Sequence, residues 1–303
     1  MRRMIAALAG AAVTALVLPV LVAAGPAGAQ SAQAAPQATR TDPVSALKRQ
    51  FRAHHGVKLA ETAKLIGEGK GQRTVYARTR GVLEFDRTGV TATDLTSKFD
   101  LPSDAGETGD LFTASRTITV KGVSYISGGV FSDALPEGKK WLRDRDNTLT
   151  LLNPAQKLLN PLEPATLKAT LAHTTAKRPG GTWDGARTVV HSGTITLGEL
   201  YRISPTVRTL LGKKPSAKAA PLPVSWQLYI GSDQLVRRVV SSYTQSIRGL
   251  TSVDVVYLND SRYSDWGAKS AIKAPPASQV ADFDELRIGD KEAEEAYVQL
   301  FNG

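Results

Sequence analysis

The sequence predicts a mainly β protein of the α+β class, an antiparallel sheet carrying several short helices, behind an N-terminal export segment. Three observations predict it. Val224, Trp226, Leu228 and Ile230 alternate with Ser225, Gln227 and Tyr229, then a turn at Gly231–Gln234 leads into Leu235–Val240. That two-residue period places one apolar row on one face of a strand, and the short polar turn brings a second strand back beside it. Similar runs recur along most of the chain, whereas helical spacing is confined to short stretches. Arg2 and Arg3 stand before an apolar run from Ile5 to Ala24, followed by Ala27-Gly28-Ala29.

That N-terminus has the charged, apolar and small-residue order of a secretory signal peptide over residues 1–29, with an uncleaved anchor as the rival reading. Gly10, Thr14 and Pro19 within the run favour cleavage. Residues 30–41, rich in Ala, Gln and Ser, read as a disordered leader. The main domain then spans 42–283. Asp42 caps its first helix with Pro43 at the first helical position, Val44, Leu47 and Phe51 on one face, and Gly56 closing it.

From Val57 the period becomes two: Val57, Leu59, Ala63 and Leu65 share a side, with Glu61 as the exception. The glycine-rich loop Gly67–Gly71 lacks the strand–loop–helix context of a phosphate loop. Beyond it Val75, Ala77, Leu83 and Phe85 oppose Tyr76, Arg78, Arg80 and Glu84, so the two runs form a hairpin. Further strands are expected at Val90–Phe99, Arg116–Lys121 and Val123–Val130, with a turn-rich loop at 101–110. Prolines 154, 161 and 164 punctuate two short helical segments, the first marked by Leu158, Leu159 and Leu162, the second by Leu167 and Leu171. Gly185–His191 and Gly193–Leu197 return to strand. Leu197–Leu211 is helical with a break at Pro205, and Lys213–Pro223 is a loop. In the hairpin that follows, both possible registers put one of Arg237 and Arg238 on the apolar side, so the pairing stays open.

Ser252–Leu258 supplies another strand. Tyr263-Ser264-Asp265-Trp266-Gly267 reads as a turn, Ile272 as a short strand, and Pro275-Pro276-Ala277 as a stop before Val280-Ala281-Asp282. This order of hairpin, strand, Asp-aromatic-Gly turn and Pro-Pro-Ala stop resembles the C-terminal half of the LolA-like carrier fold. It is most similar to the LppX/LprG-like lipid-binding lipoproteins of actinobacteria. Leu135-Pro136-Glu137-Gly138-Lys139-Lys140-Trp141 resembles a turn at the middle of the same family. The resemblance covers about Asp42 to Asp282, most densely in the last sixty residues. It implies an antiparallel half-barrel sheet wrapped over several helices, with an apolar cavity between the layers. The family is acylated on an N-terminal cysteine. This chain has no cysteine, so release outside the cell rather than lipid anchoring is expected. Residues 284–303 form a tail beyond the resemblance, with a helix capped by Asp290 and an apolar stripe of Ala293, Ala296, Tyr297 and Leu300.

The net charge is +10 over 303 residues; without Arg2 and Arg3, 36 basic side chains stand against 28 acidic ones, +8. Such a surface favours polyanions, yet the basic residues are scattered and only Lys213-Lys214 with Lys218 clusters. No nucleic-acid-binding pattern accompanies them. The four histidines, His54, His55, His173 and His191, fit no metal-ligand spacing. There is no G-x-S-x-G elbow and no thiol nucleophile. Asp144, Asp146 and Asn147 lack the glycine and terminal glutamate of a calcium loop. Neither a cofactor nor a metal is expected, and the protein is expected to bind rather than catalyse. The rows Val224, Trp226, Leu228, Ile230 and Val253, Val255, Tyr257 are the candidates for a face holding a lipid or acyl chain; packing on the covering helices is the plain alternative for each. The expected partners are a lipid or acylated ligand and a membrane surface or membrane protein, for a monomer. The second functional reading is an extracytoplasmic sensor or interaction module on the same fold.

Overall fold

Asp42 starts the described chain as the sequence requires: its carboxylate accepts from the amides of Val44 and Ser45 at 2.9 and 3.1 Å, and helix α1 runs Pro43–Gln50. These bonds satisfy amides that a helix start leaves unpaired. The computed structural model describes residues 42–68, 74–100, 114–145, 157–248 and 252–287, all within the unit Thr41–Gly303. The expected signal peptide and leader (1–41), the expected 101–110 loop, Asp146, Asn147 and the helix expected from Asp290 lie outside them.

Helix α1 ends six residues before Gly56, so that glycine does not close it. The chain turns at His54, whose φ is 59°, and enters β1 (His55–Glu68). Gly56 belongs to that strand, where a Cβ would stand 2.3 Å from the Leu83 carbonyl oxygen. Strands β2 (Thr74–Phe85), β3 (Val90–Asp100), β4 (Ser115–Val120), β5 (Val123–Gly128) and β6 (Trp141–Asp144) follow. Leu158, Leu159 and Leu162 are buried in the core, but residues 157–163 are not helical. The helical segment marked by Leu167 and Leu171 is α2 (Pro164–Ala172), with Pro164 in its first turn.

Next comes β7 (Thr174–Trp183), which carries no alternation, then β8 (Ala186–Thr196). Helices α3 (Leu197–Ile203) and α4 (Pro205–Leu211) meet at Ser204, which ends one and caps the other by accepting from the Val207 amide at 3.1 Å. Strands β9 (Pro223–Gly231), β10 (Val236–Arg248) and β11 (Ser252–Lys269) complete the main sheet. The register left open between β9 and β10 is set by a bulge between Val236 and Arg238. The bulge keeps Val239 opposite Leu228 on the core side, while Arg238 pairs with Tyr229 on the other face. Arg237 is held by Asp233 at 2.6 Å.

Tyr263–Gly267 is not a turn between strands. It is part of β11, where Asp265 and Gly267 take φ of 52° and 79° beside a register shift against β1 at Gly56/Lys58. Ile272 is not in a strand either. Residues 270–276 have no regular secondary structure; they are held where the Ser270 amide donates to the His54 carbonyl at 3.0 Å and Glu84 accepts from Ser270 Oγ and the Ile272 amide at 3.0 and 2.7 Å. They lead to β12 (Val280–Ala281), parallel to β6.

The result is one open, curved sheet in the order β12-β6-β5-β4-β3-β2-β1-β11-β10-β9-β8-β7. All its pairings but the last parallel one at β12 are antiparallel. The fold is mostly β, a half-barrel over a few helices. Its main core joins Leu47 of α1, Leu167 of α2, Leu200 of α3 and Val207 of α4 to Val57, Phe85, Leu228, Val239 and Tyr263 of the sheet.

Candidate functional site

Along the inner face of β1 the side chains change character in steps. Val57 and Leu59 lie under the helices. Glu61 follows, only 8 % exposed, explaining the break in the apolar alternation. Its carboxylate accepts from Lys157 Nζ at 2.7 Å and from the Ser261 hydroxyl. Burial alone pushes the Lys157 ammonium towards a lower pKa; the Glu61 carboxylate overrides it and holds the group above its ordinary value. This ion pair ties residues 157–163 to the sheet.

Past it, Ala63 faces Asn259, and Leu65 faces Tyr257. Tyr257 in turn pairs with Tyr243 of β10. Cross-strand partners share a face, so the two rings stack in parallel, with centroids 4.7 Å apart and planes 1° apart. These flat rings lie on the sheet beneath the helices. Between them is a half-open cavity of about 590 Å³, within the size range of small-molecule sites. Its floor is Leu65, Tyr257, Tyr243 and Gln245. Its roof is Leu197 of α3, Leu210 and Leu211 of α4, then Pro215, Ser216, Ala219 and Leu222 of the following loop, with Leu158 at one side. Lys213 and Lys214 stand at the open side, both exposed.

The seven candidate residues separate on this geometry. Val224, Trp226, Leu228 and Ile230 are at most 4 % exposed and belong to the closed core beneath the helices. Trp226 also borders a smaller polar hollow of about 280 Å³ among β8, β9 and β10, and its indole N–H has no hydrogen-bond partner. Tyr257 lines the large cavity. Val255, half-buried, pairs with Gln245 one step further along the same face. The side chain of Val253 lies outside the described residues.

Leu65 and Leu222 border apolar runs that the alternation marks. Tyr243 and Gln245 lie beyond Val240, where the apolar signal of β10 fades although the strand continues. Leu210-Leu211 carried only a helical pattern. Burial raises the pKa of both tyrosines, reinforced at Tyr243 by its neighbour Tyr257. They therefore remain neutral hydrogen-bond donors. No group of His, Asp or Glu that could hold a metal ion exists among the described residues, and no helix among them is long and apolar enough to cross a membrane.

The chain is similar to two solved structures. One is a LolA superfamily protein, NE2245 from Nitrosomonas europaea, at 6 % identity and a TM-score of 0.25, covering 76 % of this chain and 93 % of that one. The other is a DUF1329 family protein from Desulfovibrio piger, at 10 % identity and a TM-score of 0.24, covering 74 % and 92 %. Scores of this size carry no argument. No protein-family model and no curated protein matches the chain.

Proposed function

We propose that this is an exported, non-enzymatic binding protein whose ligand is a lipid or acyl chain seated between the sheet and helices α3 and α4. The observation that carries the reading is the cavity itself, about 590 Å³ and walled mainly by leucine, alanine, proline and tyrosine. Each methylene transferred into such a space gains about 0.8 kcal/mol, so an acyl chain binds there without any elaborate polar site. The sequence resemblance to the LppX/LprG-like lipoproteins supports the same reading. Export through cleavage after Ala29 is supported by the order of charged, apolar and small residues at the N-terminus.

The test is to fill the space. Ala219 lines the roof and is only half-buried, so Ala219→Trp places an indole in the cavity from the turn between α4 and β9. A fluorescent fatty acid should bind the delipidated parent and lose at least about tenfold in affinity for the variant, with an unchanged melting temperature. Equal binding to both proteins would place the ligand elsewhere, and no binding to the parent would remove the carrier reading.

A further inference from the structure

The rim of the cavity specifies the charge of its ligand. This inference rests on the reading that an acyl chain occupies the cavity. Helix α4 ends at Gly212, in the left-handed region with φ 62°, and the chain turns there so that Lys213 and Lys214 both border the opening. Neither ammonium has an ion-pair partner among the described residues. No Asp or Glu lines the cavity. The polar groups that do are hydrogen-bond donors or can act as donors: the two ammoniums, the Ser216 hydroxyl, the Gln245 amide and the two phenols. The phenols stay protonated because they are desolvated, and neither makes a hydrogen bond to the described protein. A mouth with two unpaired cations and no carboxylate repels a cationic headgroup and attracts an anionic, acceptor-rich one.

We propose that the ligand is an anionic amphiphile, its carboxylate or phosphate monoester held at Lys213 and Lys214 and an acyl chain lying over Tyr243 and Tyr257.

Four sixteen-carbon probes with different headgroups decide this by equilibrium titration of the delipidated full chain: hexadecanoate, hexadecyl phosphate, monohexadecanoylglycerol and hexadecyltrimethylammonium. At low ionic strength at least one anion should bind about tenfold tighter than the neutral glycerol ester, with the ammonium probe weakest. Which anion binds tighter separates carboxylate from phosphate recognition. In 1 M salt, where screening acts within about 3 Å, the preference should collapse. Lys213→Glu/Lys214→Glu should abolish or reverse it while leaving the melting temperature unchanged. Equal binding of anionic and neutral probes, or a preference that survives the double substitution, overturns this inference and leaves the cavity reading standing. Failure of all four probes to bind overturns the cavity reading, and this inference with it.

Discussion

Glu61 is a charged residue in the middle of an apolar row, and the surrounding atoms explain how it is tolerated. A buried carboxylate survives only with partners, and Glu61 has Lys157 and Ser261. The break in alternation at Glu61 is visible in the sequence. Its partner is not, because Lys157 lies 96 positions away in a segment with no regular period. Glu61→Gln leaves the Lys157 ammonium, whose side chain is 20 % exposed, without its counter-charge. The expected cost is about 3 kcal/mol, at the lower end for a broken buried pair because of that residual exposure. For a domain of this size the melting temperature should fall by about 6–12 °C. Replacing both partners, as Glu61→Leu/Lys157→Met, should recover most of the loss, since matched apolar groups need no charge compensation. Both melting curves are measured against the parent.

Elements whose two faces differ were legible; elements without that contrast were not. Strands β1, β2, β8 and β9 show alternation because one face meets the core. Edge strand β7 is exposed along most of its length and contains Pro179-Gly180-Gly181, so nothing in its pattern announces a strand. What fixes it is contact: a Cβ at Gly193 of β8 would sit 2.0 Å from the His173 carbonyl oxygen just before β7. Strand β11 was read as a strand, a turn and a further strand because Asp265 and Gly267 look like turn residues; they serve instead as a bulge. The segment after β11 is a strap, and its far end is clasped by Asp282, which accepts from Arg143 Nε at 2.6 Å. The Arg143 guanidinium beside Asp282 holds its carboxyl below the usual 3.8. A depressed carboxylate contributes stability that is fully present above its unfolded pKa and lost as pH falls through its folded one. The 280–287 segment should therefore stay protected from amide exchange at pH 4–5 and loosen only below pH 3.8. Asp282→Asn should remove that acid-dependent step while lowering protection at neutral pH.

At the scale of the molecule, assembly creates features that a linear reading disperses. The basic residues look scattered, yet strand register carries Arg178, Arg238, Arg262, Arg80 and Arg116 into one cross-strand row on the outer face. Arg238 and Arg116 are tied to Asp260 and Asp94, and the guanidinium of Arg262 lies 5.0 Å from the Trp183 ring centroid. The one cluster evident in the sequence, Lys213-Lys214, lies at the cavity mouth. The cavity itself was legible only as an expectation of the family resemblance. Its tyrosines, roof leucines and lysines come from four separate stretches, and no local period links them. Leu228 illustrates the difference between core and cavity: it is fully buried beneath the helices. Leu228→Glu should cost more than about 3 kcal/mol or prevent folding, because its charge finds neither water nor partner. A carboxylate at Leu65, which borders the open cavity, should be tolerated with little change in melting temperature while reducing bound lipid.

An acyl chain in the space between the sheet and α3/α4 is detected by native mass spectrometry of the freshly purified protein, with the Ala219→Trp variant beside it. The parent should carry a discrete added mass, released by organic extraction and identified as a lipid, on a polypeptide whose intact mass begins at Gln30. The variant should show its own polypeptide mass, heavier than the parent's only by the Ala-to-Trp exchange, without the adduct. A parent that is empty as purified and stays empty after incubation with hexadecanoate, or an adduct retained in full by Ala219→Trp, would contradict the account.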